Sequence, residues 1–179
     1  MTRSSSSTLF VQSLISEAAH KDIPGEHRIF APFIGDWDLI VSWFDEAGRL
    51  SRRERGEWHF SWILEGRAIQ DIWIVPPRAE RTARGDLYEY GTSLRFFDAK
   101  LKAWQSTWIG PMHGVVGTFT ARQIDDRVVL ETTEGAVPRM RWSFGDIEKD
   151  SFTWRNELWT ASGWHIQQTF AAKRSAQDQ

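Results

Sequence analysis

"FIGDWDL", Phe33 to Leu39, follows Ala31-Pro32 and leads into a run in which Trp37, Leu39, Val41 and Trp43 alternate with Asp38 and Ser42. Side chains of a strand point to opposite faces in turn, so apolar residues at every second position mark a strand with one buried face. Ile40 and Phe44 interrupt the polar set, which leaves the other face mixed. Gly35, two residues before Trp37, puts a residue without Cβ at the start of this strand, where another segment can approach closely.

The same period recurs along the chain. Trp58, Phe60 and Trp62 alternate with Glu57, His59 and Ser61, and further strands are predicted over Ile69 to Val75, Tyr88 to Phe97, Ala103 to Ile109, Val115 to Ala121 and Arg127 to Thr133. Arg139 to Phe144, Phe152 to Trp159 and Trp164 to Phe170 complete about ten segments. Between them lie turn signals, among them Glu46-Ala47-Gly48, Glu65-Gly66, Pro76-Pro77, Asp125-Asp126 and Ser162-Gly163. The basic stretch Arg49 to Arg55 reads as a solvated turn between strands. Many short strands at hairpin spacing predict an all-β antiparallel up-and-down meander, and closing it into a barrel removes its unpaired edges.

The last three segments give a register. Pairing Phe144 with Phe152 sets Trp142 opposite Trp154, Met140 opposite Asn156, Arg141 opposite Arg155 and Arg139 opposite Glu157. A three-residue hairpin at Ala161-Ser162-Gly163, with Gly163 left-handed, sets Trp154 opposite Phe170 and Leu158 opposite Ile166. Trp142, Phe144, Phe152, Trp154, Leu158, Ile166 and Phe170 then share one face, expected to point inward. Two facing guanidinium groups need an anion between them, either Glu131 or Glu157 or a ligand's carboxylate or phosphate.

"FIGDWDL" resembles the Gly-x-Trp signature that opens the first strand of lipocalin-like, or calycin, barrels, with Gly35 as the Gly and Trp37 as the Trp. The likeness extends through "GEWHFSWILEGRAIQDIW", "YGTSLRFFD", "RWSF" and "FTWRNE", from about Phe30 to Arg174, to an uncharacterised bacterial family of lipocalin-like domains. It implies that Trp37 closes one barrel end against an Arg of the final strands, either Arg174 or Arg155, and that a preceding helix caps an end. Secreted lipocalins carry a signal peptide and a disulfide, and this chain shows neither. Residues 1–7 are Ser-rich and read as a disordered tail, Thr8 to Ala19 as a short helix ended by Pro24-Gly25, 8–174 as one barrel domain, and 175–179 as a frayed tail.

Composition narrows the function. With 22 basic and 24 acidic residues there is no electrostatic reason to expect nucleic acid as partner, and no run approaches the length of a membrane span. The N-terminal apolar stretch is broken by Gln12, Ser13, Ser16 and Glu17, unlike a signal peptide, so a cytoplasmic protein is expected. The absence of Cys excludes disulfides and Cys-based metal or redox sites, and no histidine pair has metal-ligand spacing. Eleven Trp and eleven Phe demand either a large apolar interior or an aromatic binding surface, and exposed aromatics on a barrel wall would suit a homodimer.

The expected function is binding of a small, mostly hydrophobic ligand inside the barrel, with Trp58, Trp62, Trp73, Trp108 and Trp154 as walls and Arg95, Arg141 or Arg155 as anchor. A barrel completely filled by its own side chains is the alternative without a site. An enzyme of cyclase, isomerase or decarboxylase type, needing no cofactor, could use the same cavity, with His113, Asp71 or His59 moving protons. His113 lies in the glycine-rich rim turn "WIGPMHGVVG"; Asp71 shares a strand face with Ile69, Trp73 and Val75 and so needs a partner, Arg95 or Arg67. Haem is a further alternative, with His113 or His59 as axial ligand.

Overall fold

The structure, a computed structural model, describes residues 6–81 and 89–176. A helix α1 (Ser6–Leu14) and a two-residue strand β1 (Ile15–Ser16) precede β2 (Gly35–Phe44), β3 (Leu50–Ile63), β4 (Ala68–Val75), β5 (Glu89–Asp98) and β6 (Ala103–Gly110). β7 (Val115–Ile124), β8 (Arg127–Thr132), β9 (Met140–Gly145), β10 (Ser151–Thr160) and β11 (Gly163–Arg174) follow. From β2 onward each strand pairs antiparallel with the next, and β11 returns to β2, so ten strands close into the expected up-and-down barrel. No helix among the described residues is long and apolar enough to cross a membrane.

Closure makes alternation an inside–outside code. Trp37, Leu39 and Val41 of β2, Trp58, Phe60 and Trp62 of β3, and Ile69, Trp73 and Val75 of β4 are buried, and alternation breaks only where Ile63, Ala68 and Ile74 beside them are buried too. Trp58 is the hub: its ring lies 4.7 Å from Phe60, 5.5 Å from Phe144, 6.0 Å from Trp154 and 5.4 Å from Phe170. The arginines at 52, 53 and 55, expected in a turn, stand on β3. Arg52 covers the Trp43 ring at 4.5 Å and Arg55 reaches Glu80, so aliphatic stems and ion pairs let them occupy strand positions.

One end of the barrel is packed shut by a segment whose importance the sequence did not announce. Short 3-10 turns at Gly25–His27 and Ala31–Phe33 carry Phe30 and Phe33 into the barrel, where both are fully buried. Phe33 meets Phe144 at 4.5 Å and Phe152 at 5.0 Å, and Phe30 meets Trp104 at 5.3 Å. Two indoles tie the plug in place, Trp37 donating to the Phe33 carbonyl and Trp104 to the His27 carbonyl, each at 2.7 Å. The expected helix over Thr8 to Ala19 stops at Leu14, because Ile15 and Ser16 leave it to pair with Ile63 and Trp62 on β3. α1 leaves Leu9, Phe10 and Val11 exposed, so the turns after it, not the helix, supply the buried plug. Residues 1–5 of the expected disordered tail, the expected strand start at Tyr88 and the tail residues 177–179 lie outside the described residues.

Gly35 and Trp37 act through Arg174, which settles the choice between the two arginines. The guanidinium of Arg174 lies over Trp37 at 4.1 Å and donates to the carbonyls of Ile34 (3.0 Å), Pro32 (3.3 Å) and Lys149 (3.0 Å). Gly35 has a φ of +120°, and a Cβ there would stand 2.7 Å from Arg174 Nη1. The segment that approaches Gly35 closely is thus the side chain of Arg174. Arg155 is opposite Ser143 and Thr169 on the other strands, away from this lock.

The register of the last strands is corrected by two residues on one side. Trp154 faces Phe170 as expected, but on β9 it faces Phe144, with Trp142 opposite Asn156 and Met140 opposite Leu158. Thr153 causes the shift by bonding to the Gly145 carbonyl and the Asp146 carboxylate, which folds 146–150 into a compact turn. A slip of two preserves the inward face, so the aromatic set is right although the partners are not. Arg141 therefore faces Glu157 (2.9 Å), and Arg139 approaches Glu131 (3.9 Å). A bulge at Asn156/Glu157 places Leu158 opposite His165, and Thr160 pairs with Gly163, making the loop one residue shorter than expected.

On the outer face, His59 stands between two carboxylates, its Nδ1 2.6 Å from Asp36 and its Nε2 3.0 Å from Glu57. Burial would raise the Glu57 carboxyl, but the side-chain and backbone N–H groups of Arg78, with His59, outweigh it and hold the pKa at about 2 against an ordinary 4.5. A carboxyl depressed on folding stabilises above its unfolded pKa and loses that contribution as pH falls through the folded value. Glu57→Gln should therefore flatten the loss of stability between pH 4.5 and about 2, read from urea midpoints at each pH; an unchanged acid slope would refute the assignment. Gly35→Ala should cost about 1–3 kcal/mol, since it strains the backbone and displaces Arg174, and a midpoint equal to that of the parent would contradict the lock.

Candidate functional site

Opposite the plugged end, the barrel is open. A cavity of about 720 Å³ runs inward from the rim, within the range of small-molecule sites. The interior is thus divided, its lower half packed by the plug and the upper half left as space. Trp58, Trp73, Trp108, Trp142, Trp154 and Phe170 form its aromatic wall, and Met140, Val115, Val116 and Val137 stand at the mouth, with Val137 almost wholly exposed.

The wall is built by strand alternation and by missing side chains. Trp108 on β6 pairs with Gly117 on β7, and its ring lies over Gly91 of β5, where an added Cβ would come within 2.2 Å of the indole. Glycine at 91 therefore makes room for the Trp108 ring, which then meets Trp73 at 5.8 Å and Trp142 at 6.1 Å. Trp154 and Trp73 both stack on Phe170, at 4.3 and 5.3 Å.

Arg95 forms the floor. It is 1% exposed, lines the cavity, and lies over the rings of Phe30 (4.6 Å) and Phe60 (5.7 Å). Its Nη2 donates to Asp71, which also accepts from the Ser93 backbone N–H at 3.3 Å. Burial draws the guanidinium below its ordinary pKa, while the Asp71 charge and hydrogen bond hold it up. Arg67, the other partner considered for Asp71, pairs with Asp22 at 3.1 Å instead. Arg95 Nε and Nη1, and the indole nitrogens of Trp58, Trp73 and Trp154, are buried without a hydrogen-bond partner among the described residues. Each buried donor left unbonded costs about 1–3 kcal/mol, so their grouping beside a cavity is a concentrated unmet demand.

Of the residues singled out from the sequence, Trp58, Trp73, Arg95, Trp108, His113 and Trp154 come together around the cavity. Trp62 does not. It is buried toward the plugged end, 6.3 Å from Trp104. Asp71 lies beneath Arg95 rather than on the cavity wall, with both carboxylate oxygens engaged. His59, Arg141 and Arg155 stand apart from the cavity. Arg141 pairs with Glu157 and lies 4.3 Å over Trp164. His113 is at the rim, its Nε2 2.8 Å from Glu89, and is the one histidine among the described residues that lines the cavity. Among the described residues no group of three His, Asp or Glu side chains could hold a metal ion. Sequence reasoning missed Phe119, Gln168 and Asn156 as lining residues. All three carried a signal: Phe119 sits at even spacing from Gly117 and Ala121, Asn156 from Trp154, and Gln168 from Phe170, and the amides were passed over because they are polar.

No family model matches this chain, and no curated protein matches it. Among solved structures it is similar to the S-type phycobiliprotein lyase CPES from Guillardia theta, with a TM-score of 0.57 and 12% identity over 85% of this chain and 93% of that one. At that identity the likeness concerns the fold, and with the closed ten-strand meander it establishes a lipocalin-like barrel.

Proposed function

We propose that the protein binds one small, mostly apolar molecule in the open upper half of the barrel. The observation that carries this is the division of the interior: aromatic side chains pack solidly around Phe30 and Phe33, yet stop short of the mouth and leave 720 Å³ walled by indoles. A core built only for stability would fill that space, because voids forfeit both apolar burial and dispersion contacts. Affinity would come from apolar contact, with Trp108 supplying the wall nearest the rim. Catalysis on the bound molecule is a second reading, favoured by the His113–Glu89 pair at the mouth. It would show as a bound compound chemically altered by the parent protein and left unaltered by His113→Ala.

Nile red, a neutral dye whose emission rises in apolar surroundings, tests the binding reading. It should titrate with one site per chain and quench the tryptophan emission. Trp108→Ala should weaken it about tenfold, equivalent to losing roughly 55 Å² of apolar contact at about 25 cal/mol per Å². Absence of uptake by a folded protein would overturn the reading.

A further inference from the structure

The unpartnered nitrogens of the residues that line the cavity are of one kind. Trp58 Nε1, Trp73 Nε1, Trp154 Nε1, Arg95 Nε and Arg95 Nη1 can only donate, and all five are buried without partners among the described residues. Three of the neighbouring acceptors are already engaged. Asp71 takes Arg95 and the Ser93 N–H, Asn156 Oδ1 takes the Trp142 indole at 3.1 Å, and Glu89 faces His113. Ser106, across the strand pair from Arg95, adds an unpartnered hydroxyl that can serve either way. Gln168, buried in the wall, carries an amide of both kinds.

We infer that the molecule bound here is an apolar carboxylic acid, inserted with its carboxylate toward Arg95 and its apolar body against the indoles. This rests on the cavity being a binding site and adds the polarity and orientation of its occupant. A carboxylate accepts several hydrogen bonds and donates none, so it answers the floor's demand without creating a new one. A ligand amine or ammonium would bring further donors to a floor that has donors in excess. The Arg95–Asp71 pair presets the geometry, since Asp71 holds one guanidinium nitrogen and leaves Nε and Nη1 for the ligand. A flexible chain and a flat ring system present the same head group, and both fit an aromatic wall.

Displacement of Nile red by matched compounds tests the inference. Decanoate should compete at least about tenfold better than decanol, and decylamine worse than decanol. Naphthylacetate against naphthaleneethanol repeats the comparison on a flat body, and the pair showing the larger preference identifies the body the wall accepts. Arg95→Met alone would leave Asp71 buried without its partner, so the variant to use is R95M/D71N, in which the pair is neutralised together. In it the preference for decanoate over decanol should collapse to about twofold or less, and a preference of about tenfold that survives would overturn the assignment. If the double variant fails to fold, the comparison on the parent protein decides. Equal affinity for acid and alcohol, or preference for the amine, with Nile red still bound, overturns the carboxylate and leaves the cavity reading intact. Failure of Nile red itself to bind removes both.

Discussion

The guanidinium of Arg174 holds together three parts of the chain that have little else in common. It lies on Trp37 of the first barrel strand, belongs to the last, and takes the carbonyls of Pro32 and Ile34 that frame the plug. A barrel of this kind has two ends, and side chains of a fixed sequence can fill one of them only if something brings extra apolar groups there. Phe30 and Phe33 are those groups, and the Trp37 and Trp104 indoles bond the chain that carries them. Because the lower end is filled from outside the sheet, the large residues higher on the strands are free to line a space.

The floor of that space is where packing and electrostatics meet. A buried arginine is tolerated because Asp71 neutralises it and Phe30 and Phe60 lie against its π-facing surface. A buried ion pair is often worth no more to stability than a well-packed apolar pair, so stability alone is a weak reason for its presence. Its value here is positional. It fixes a half-bonded guanidinium at the junction between the packed half of the barrel and the open half.

Much of this was legible in the sequence because strand alternation encodes inside and outside residue by residue. The aromatic inward face of β9 to β11, the need of Asp71 for an arginine and the Gly35–Trp37 opening were readable for that reason. What could not be read depends on events that alternation does not record. The two-residue shift of β9 is set by Thr153 capping a turn, and the reassignment of Arg141 to Glu157 follows from it. The bulge at Asn156/Glu157 sets Leu158 opposite His165 instead of Ile166. The plug eluded the reading most completely, since Phe30 and Phe33 sit in irregular turns with no period to betray their burial. His59 shows the converse case, a residue chosen for its chemistry that alternation, followed strictly, would already have placed outside with Glu57.

The division of the barrel into a filled and an open half is most directly tested by native mass spectrometry of the purified protein, before and after exposure to an excess of decanoate. The account predicts a single adduct per chain, either carried through purification or acquired on addition, and no second one at higher excess. A protein that retains its strand signature in circular dichroism yet keeps the mass of the bare chain at every excess would contradict it.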